Sequence, residues 1–281
     1  MKASFGIIGG DKRQLYLAKS IQNDGYTVYI CGFELSCDTN GLTEIRLEEI
    51  LNKADYIILP LPCTRDNETI FSPYSDKDIL VNDSFVNSLK DKTVYGGCMQ
   101  LLTNQCNLWE KIKYFDYYKE EELAISNAIP TAEGAVSLAI ENHNGILNDS
   151  KCLITGYGRI GKVLSKILLS FGANVDIAAR KKEDYALIRA LGAKSVKYQK
   201  INKTYDIIFN TVPTMVIEKD ILKHQNADTV IIELASLPGG IDRKFALLNG
   251  IKIIDAQSLP GKVAPKATAE FTKETIYNLL D

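Results

Sequence analysis

The segment from Cys152 to Lys166 constrains the fold of this chain more than any other. It reads Cys-Leu-Ile-Thr-Gly-Tyr-Gly-Arg-Ile-Gly-Lys-Val-Leu-Ser-Lys, an apolar strand followed by a G-x-G-x-x-G turn and an amphipathic helix. In this order Gly156 permits the tight turn, Gly158 lets the backbone approach a pyrophosphate, and Gly161 lets the helix pack closely on the strand. Free N–H groups at the helix start receive the anion. The segment predicts a Rossmann-type dinucleotide-binding unit; a structural glycine turn without ligand is the alternative.

The end of the next strand bears on the choice of dinucleotide. An acidic residue there bonds the ribose 2′-OH of NAD and repels the 2′-phosphate of NADP. Here the strand from Val175 to Ala179 ends in Arg180-Lys181-Lys182, without a carboxylate. Because cations bind phosphate, the tip favours NADP(H), with Arg180 as the stacking or phosphate-binding residue; a solvated loop is the alternative. Asp176, earlier in the strand, is expected at the surface or at an interface.

Two further strands end at the same carboxyl edge, where open α/β sheets bind ligands. The first ends in Thr211-Val212-Pro213, which we expect to border the cofactor, and the second carries Glu233 inside an apolar run. A buried carboxylate is costly unless it is paired or titrates near neutrality, so Glu233 is a candidate acid/base residue. The alternative is a structural carboxylate bonded to backbone N–H groups. The predicted cofactor-binding residues are Gly156, Gly158, Arg159, Ile160, Gly161, Ala179, Arg180, Lys181, Thr211, Val212 and Pro213.

Short runs rich in Ile, Val and Tyr alternate with helical-period segments along the whole chain, as in βαβ units around parallel sheets. The predicted strands are Ala3–Ile8, Thr27–Cys31, Tyr56–Leu59, Thr93–Tyr95, Lys151–Thr155, Asn174–Ala178, Asp206–Phe209, Thr229–Leu234 and Ile251–Ile254. Two sheets are more plausible than one sheet of this many strands. We therefore predict an α/β fold with two Rossmann-like domains.

The boundary between these domains is predicted at Pro130 and Thr131, which resemble the start of a helix. The expected domains are an N-terminal Rossmann-like substrate or partner domain, 1–130, and an NADP-binding domain, 131–265, that begins with a hinge helix, 131–144. A C-terminal helix, 266–281, is expected to return to the first domain.

The first strand also leads into a glycine turn, Gly9-Gly10-Asp11, but without the full dinucleotide pattern. The following helix start offers N–H groups to an anion, and Arg13 can bind a carboxylate with two hydrogen bonds. This turn therefore fits an acidic substrate; a structural turn with exposed Lys12 and Arg13 is the alternative.

Composition excludes several classes of function. The chain has 33 basic and 35 acidic residues, a net charge of −2, and no basic stripe interleaved with aromatic residues, so nucleic acid is not an expected partner. Its 6 cysteines form no C-x-x-C pair and its 2 histidines no metal-spaced cluster. We expect reduced thiols, no bound metal, no membrane span and a cytoplasmic location.

Several ordered stretches show a resemblance to a known family. They are Gly9–Gln14, Ile58–Pro60, Ile129–Gly134, Gly156–Gly161, Ala179-Arg180, Asn210–Pro213, Leu234–Gly240 and Leu259–Lys266. On these residues the chain resembles the A subunits of dipicolinate synthase from spore-forming bacteria, across nearly its full length. The first, third and last stretches together are specific for that family, whereas the glycine fingerprint is shared with many dehydrogenases.

The resemblance implies an NADP-dependent oxidoreductase that works with a flavoprotein-like B subunit in the mother cell during sporulation. The implied reaction forms pyridine-2,6-dicarboxylate from dihydrodipicolinate or its hydroxylated tetrahydro precursor, with hydride passing to NADP⁺. A dicarboxylate substrate requires cations, and the matching stretches contain Arg13 and Lys266, with Gln14 and Thr131 as further substrate-binding candidates. Asp11, Glu133 and Glu233 are the candidate acid/base residues, with Thr131 and Glu133 expected at the start of the hinge helix.

Other interpretations stay open. The chain resembles 2-hydroxyacid and alanine dehydrogenases in placing a nucleotide domain after a hinge helix, although neither His143 nor His224 is a credible catalytic histidine. Alternatively, it is an NADP(H)-binding regulatory or scaffold protein, and the B subunit carries out the redox step with flavin. A homodimer is one of the oligomeric states that the sequence leaves open.

Overall fold

In a computed structural model of the protein, residues 3–35, 38–39 and 41–280 are described. They form two compact units, Met1–Ser126 with Ala264–Asp281 and Asn127–Val263. Each unit is built on a sheet of 6 strands, and all neighbouring strands in both sheets run parallel. The predicted α/β fold with two parallel sheets is therefore confirmed.

In the first unit, helices or 3₁₀ turns separate most of the successive strands. Its strands are β1 (Ser4–Ile8), β2 (Thr27–Cys31), β3 (Thr43–Glu44), β4 (Tyr56–Ile58), β5 (Thr93–Gly96) and β6 (Lys113–Asp116). Its helices are α1 (Lys12–Asn23), α2 (Leu47–Lys53), α3 (Asp83–Asn87) and α4 (Gln100–Thr103), with 3₁₀ turns at Asn107–Lys111 and Tyr117–Lys119. The strand order β3-β2-β1-β4-β5-β6 reverses between β1 and β4, and at such a switch point the carboxyl ends of open sheets bind ligands.

A long helix, α5 (Glu121–Asn142), crosses the boundary between the units. The prediction that a helix begins at Thr131 is wrong, because α5 begins ten residues earlier and contains Pro130 in its interior. Proline removes one backbone hydrogen bond from a helix. Leu123 is buried in an apolar cluster of the first unit and Ala132 in one of the second unit, so burial on both sides of Pro130 offsets that loss. Ile140, near the end of α5, is exposed.

Helix α5 is also long and apolar enough to cross a membrane by length and composition alone. Half of its most apolar window is buried inside the protein, and buried core helices pass the same test.

The second unit repeats the architecture of the first. Its strands are β7 (Lys151–Thr155), β8 (Asn174–Ala178), β9 (Lys194–Val196), β10 (Ile207–Asn210), β11 (Val230–Glu233) and β12 (Lys252–Asp255). Its helices are α6 (Arg159–Ser170), α7 (Lys182–Ala190), α8 (Lys219–Leu222), α9 (Arg243–Leu248) and α10 (Leu259–Val263), with a 3₁₀ turn at Tyr198–Lys200. The order β12-β11-β10-β7-β8-β9 again reverses at the first strand of the unit. One apolar cluster, centred on Ile154 and Phe209, and a second, centred on Leu153 and Ile208, pack on this sheet.

The C-terminal helix α11 (Pro265–Asn278) returns to the first unit, as predicted. It packs along α1 and places Ile276 in the same apolar cluster as Leu17 and Ile21. Lys273 Nζ lies 2.9 Å from Asp24 at the end of α1. The last residues of the chain thus complete the core of the first domain.

The strands that the sequence pattern missed, β3, β6 and β9, all lie at sheet edges. An edge strand has one neighbour, so few of its side chains are buried and its sequence lacks the apolar run of a central strand. β9 reads Lys-Ser-Val, and no residue of it is fully buried.

Burial controls the chemistry of three cysteine thiols. It raises the pKa of Cys31 and Cys63 to about 12 and that of Cys152 to about 11, with nearby Glu34 contributing at Cys31. Only a thiolate is alkylated rapidly, so we expect iodoacetamide at neutral pH to label these three thiols at least about tenfold more slowly than half-buried Cys106.

Peptide mass spectrometry over a labelling time course measures each of these thiols separately, and labelling in denaturant is the control for intrinsic reactivity. Equal rates in the native protein would contradict the burial. Cys37 lies outside the described residues.

Candidate dinucleotide-binding site

The glycine turn between β7 and α6 has the geometry that its sequence predicts. Gly156 has a φ of +96°, a conformation that side-chain-bearing residues rarely adopt. A Cβ on Gly161 would overlap the carbonyl oxygen of Gly156, so only glycine allows α6 to pack this closely on the turn. A Cβ on Gly158 would meet no atom within 4 Å. The open space beside Gly158 is where the motif brings a pyrophosphate against the backbone.

The start of α6 adds an electrostatic feature to this space. Gly158 is the N-cap residue and has no side chain that could accept a hydrogen bond from the first turn. The first turn contains Arg159, Ile160 and Gly161 and no acidic residue. A helix N-terminus with these properties attracts an anion, since its partial positive charge and its N–H groups point toward the ligand. The turn therefore fits the pyrophosphate of a dinucleotide.

The next segment, residues 178–182, is called the β8 tip here. Ala178 and Ala179 are buried, whereas Arg180, Lys181 and Lys182 are exposed and include no acidic side chain. The Ala178 carbonyl accepts a hydrogen bond of 2.8 Å from Gly156 N–H, which joins the tip to the glycine turn. The tip thus presents three cations beside the turn.

Asp176 does not lie at the surface or at an interface as predicted. It is 5% exposed, accepts a 2.8 Å hydrogen bond from the Tyr205 hydroxyl and lies 2.9 Å from Lys203 Nζ. Its carboxylate is stabilised inside the second unit by these two partners, because a buried charge requires compensation. Sequence position alone gave no sign of either partner.

The strand ends of β7, β10 and β11 are joined by a buried polar network. Thr155 donates to Asn210 Oδ1 at 2.5 Å, and Asn210 Nδ2 donates to Glu233 Oε1 at 2.7 Å. The Thr211 hydroxyl donates to the Thr155 carbonyl at 2.7 Å, and Asn210 also bonds both backbone groups of Val212. This network holds Thr211, Val212 and the following Pro213 at the carboxyl edge of the sheet.

Glu233 is the centre of the last part of that network. Its side chain is 1% exposed and accepts hydrogen bonds from Asn210 Nδ2, from Ala235 N–H at 3.1 Å and from Gly240 N–H at 3.0 Å. This is the arrangement expected of the structural alternative for Glu233. The acid ties residues 235–240 to the end of β11.

Two side chains of this polar network were not predicted from the sequence. Thr155 and Asn210 link three strand ends, yet a lone polar residue at the end of an apolar run carries no sign of its partner. Their common position, the last residue of a strand, is the one signal that points to them.

In the first unit the turn after β1 places Asp11 and Arg13 in contact. Asp11 caps α1 by accepting from Arg13 N–H, and its carboxylate accepts from Arg13 Nε at 2.9 Å and from Nη2 at 2.8 Å. Nη2 also donates to the Leu61 carbonyl at 2.7 Å. Burial lowers the pKa of Arg13, the bonded Asp11 raises it, and the net pKa lies above the ordinary value. The Arg13 side chain is 13% exposed, contrary to the exposed alternative, and one edge of its guanidinium is already bonded to a carboxylate.

The other predicted substrate residues occupy different environments. Gln14 is buried in α1, and Lys266 is exposed in the first turn of α11. Thr131 is buried within α5, where its hydroxyl donates to the Asn127 carbonyl at 2.6 Å, and Glu133 is exposed on the same helix. Both lie inside α5, so the expectation that they mark a helix start is wrong.

Comparison with known proteins matches each unit to a protein family. Residues 4–118 match the family described as the N-terminal domain of the A subunit of dipicolinate synthase. Residues 133–238 match the family described as D-isomer specific 2-hydroxyacid dehydrogenase, NAD binding domain. The second unit is thus a nicotinamide-dinucleotide-binding domain of the dehydrogenase type, which agrees with its glycine turn and sheet order.

The resemblance found in the sequence extends over nearly the full chain. The A subunit of dipicolinate synthase from Bacillus subtilis (strain 168) is 29% identical over 280 residues, 98% of this chain and 94% of that protein. The crystal structure of the corresponding A subunit from Bacillus halodurans has a TM-score of 0.90 at 28% identity and covers 99% of this chain and 97% of that one. The chain is therefore a relative of the dipicolinate synthase A subunits and carries the N-terminal domain of that family.

More distant structures share the fold alone. A transhydrogenase from Sinorhizobium meliloti superposes with a TM-score of 0.69 at 13% identity and covers 98% of this chain and 93% of that one.

Proposed function

We propose that this chain is the A subunit of a dipicolinate synthase that oxidises dihydrodipicolinate, or its hydroxylated tetrahydro precursor, with NADP⁺. The observation that carries the cofactor assignment is the β8 tip, which contains Arg180, Lys181 and Lys182 and no carboxylate and is joined to the glycine turn. Similarity to the Bacillus subtilis protein along 98% of the chain supports the substrate class.

The proposed reaction has a simple balance. One ring C–H bond of dihydrodipicolinate breaks, its hydride passes to the bound nicotinamide, and a proton leaves as the pyridine ring forms. The hydroxylated precursor additionally loses water. Because aromatisation drives this step, binding and orientation are the main tasks of the protein. Gly156, Gly158 and Gly161 hold the pyrophosphate, and Thr211 to Pro213 border the cofactor.

The substrate dicarboxylate is proposed to bind through cations of the first unit. Arg13 keeps its guanidinium bonded to Asp11 and to a carbonyl, so it contributes positive charge with its remaining N–H groups. Lys266 and the Gln14 amide are the other proposed substrate contacts. Asp11, Glu133 and Glu233 stay candidates for proton transfer, and of these only Glu133 is exposed. The proposed partner is a flavoprotein-like B subunit, and the proposed location is the cytoplasm of the mother cell.

Substitution of Arg180 by Asp tests the cofactor assignment. A carboxylate at the tip repels the 2′-phosphate, so we expect the Kd of NADP⁺ to rise at least about tenfold while that of NAD⁺ is unchanged or falls. Isothermal titration calorimetry measures both constants. Lys166→Asp, an exposed charge reversal on α6, is the matched control for net charge and should leave both constants within about twofold. Wild-type protein that binds NAD⁺ more tightly than NADP⁺ would refute the NADP assignment.

The activity itself is tested by the absorbance of reduced nicotinamide with NADP⁺ and enzymatically generated dihydrodipicolinate. Three samples are compared: this chain by itself, the B subunit by itself, and the two mixed. We expect NADPH to form when this chain is present, and formation only in the mixture would place the active site where the two proteins meet. Dipicolinate without NADPH would refute hydride transfer to NADP⁺.

That last outcome is the one predicted by the second candidate function, an NADP(H)-binding scaffold for a redox-active B subunit. The observation in its favour is that Asp11 and Glu233, two of the candidate acids, bond groups of their own chain.

A further inference from the structure

Two tyrosine hydroxyls bond successive carbonyl groups of the β8 tip. The Tyr185 hydroxyl donates to the Ala179 carbonyl at 2.9 Å, and the Tyr198 hydroxyl donates to the Ala178 carbonyl at 3.3 Å. Neither tyrosine lies in β8: Tyr185 is on α7, and Tyr198 is on the 3₁₀ turn after β9. Hydrogen bonds from two separate elements thus converge on two residues.

The two rings reach the tip from different sides of the sheet. Tyr185 packs against the apolar cluster that contains Ile154 and Phe209, whereas Tyr198 packs against the cluster that contains Leu153 and Ile208. These clusters occupy opposite faces, because successive strand residues alternate between them. The backbone at residues 178–179 is therefore held from both faces at once.

The backbone of residues 178–179 leads directly into Arg180, Lys181 and Lys182, the cations proposed to select the dinucleotide. The Ala178 carbonyl also accepts from Gly156 N–H at 2.8 Å, so the same atom joins the tip to the glycine turn. Arg180 follows directly, and its charge acts on the Tyr198 phenol, opposing the rise in pKa that burial causes there. Any shift of residues 178–179 moves the origin of the Arg180 side chain relative to the turn.

We propose that Tyr185 and Tyr198 form a clamp that positions the β8 tip for recognition of the 2′-position of the adenosine ribose. Both are positioning residues, since they act through the backbone that carries Arg180. A binding group must be held to within about 0.5 Å for full selectivity, and two hydrogen bonds from rigid, packed rings supply that restraint. The inference rests on the proposed function in taking the tip as the part that contacts the dinucleotide ribose.

The test is the ratio of the Kd of NAD⁺ to the Kd of NADP⁺ for wild type, Tyr185→Phe, Tyr198→Phe and the double variant. Phenylalanine keeps the ring packing and removes only the hydroxyl. We expect each single variant to change the ratio toward unity about threefold to tenfold, the range that the loss of one hydrogen bond produces, and the double variant to change it further. Isothermal titration calorimetry gives the constants, and thermal melting confirms that each variant is folded.

Tyr205→Phe is the matched control. It also removes a tyrosine hydroxyl bonded to β8, but its partner is Asp176, inside the strand and away from the tip. We expect this variant to melt at a lower temperature and to keep the wild-type ratio. The contrast separates selectivity from loss of stability.

Three outcomes overturn the clamp. The first is a ratio of the two Kd values that is unchanged in both Tyr185→Phe and Tyr198→Phe, and the second is an equal loss of affinity for NAD⁺ and NADP⁺. The third is a ratio that also changes in Tyr205→Phe. A wild-type preference for NAD⁺ refutes the NADP assignment by itself, and the clamp is then judged by whether the inverted ratio moves toward unity. Wild type that binds neither dinucleotide overturns both proposals.

Discussion

Replacement of Gly161 by alanine is expected to lower dinucleotide affinity at least about tenfold and to destabilise the second unit. The added Cβ would overlap the Gly156 carbonyl oxygen, a backbone atom that cannot rotate away. Relieving the overlap displaces the glycine turn or lifts α6 from it, and such overpacking costs about 1–3 kcal/mol. Alanine's better helix propensity offsets at most about 1 kcal/mol of this loss. Thermal melting and calorimetric titration of NADP⁺ and NAD⁺ measure the two effects.

Gly158→Ala is the matched comparison within the same turn. Its Cβ meets no protein atom within 4 Å, so we expect the melting temperature to change by no more than about 2 °C, as for a modest change at a helix N-cap. The methyl group occupies the space of the pyrophosphate, so affinity for both dinucleotides should still fall about tenfold. Unaltered affinity in Gly158→Ala would contradict the placement of the pyrophosphate at this turn.

Substitution of Glu233 by Gln is expected to reduce the free energy of unfolding by about 1–3 kcal/mol, because one of three buried donors loses its acceptor. The amide of glutamine has one acceptor oxygen, and its NH₂ group faces a donor. Glu233→Ala leaves all three donors without the carboxylate and should cost about 3 kcal/mol or more. Urea denaturation monitored by circular dichroism measures both losses.

Measuring both the stability and the turnover of Glu233→Gln separates a structural role of the carboxylate from acid/base catalysis. Glu133→Gln, at an exposed position on α5, should change the free energy of unfolding by less than about 0.5 kcal/mol. If Glu233→Gln instead keeps wild-type stability and abolishes turnover, the carboxylate acts in proton transfer and the structural interpretation is wrong.

The dinucleotide turn was predictable from sequence because its requirements are local. A positive φ at Gly156 and close helix packing at Gly161 depend on residues within one turn, and glycine satisfies both. The central strands were predictable for a similar reason, since both of their faces are buried and they read as apolar runs.

The start of α5 and the surroundings of the charged residues were not predictable in this way. Pro130 has the sequence pattern of a helix start, whereas in the structure the helix continues through it and residues on both sides, such as Leu123 and Ala132, are buried. Asp176 was expected at the surface or at an interface, whereas the fold buries it beside Tyr205 and Lys203, which are distant in sequence. Local pattern cannot show which group will compensate a charge.

The α/β class, the two parallel sheets, the glycine turn and the cationic β8 tip could thus be predicted from the sequence, because each leaves a pattern among neighbours along the chain. The contacts that hold the site became visible only in the folded protein. The network of Thr155, Asn210 and Glu233 and the hydroxyls of Tyr185 and Tyr198 join separate elements. A hydrogen bond across tens of residues leaves no periodic trace in sequence, since its direction and length are defined only when the strands are packed.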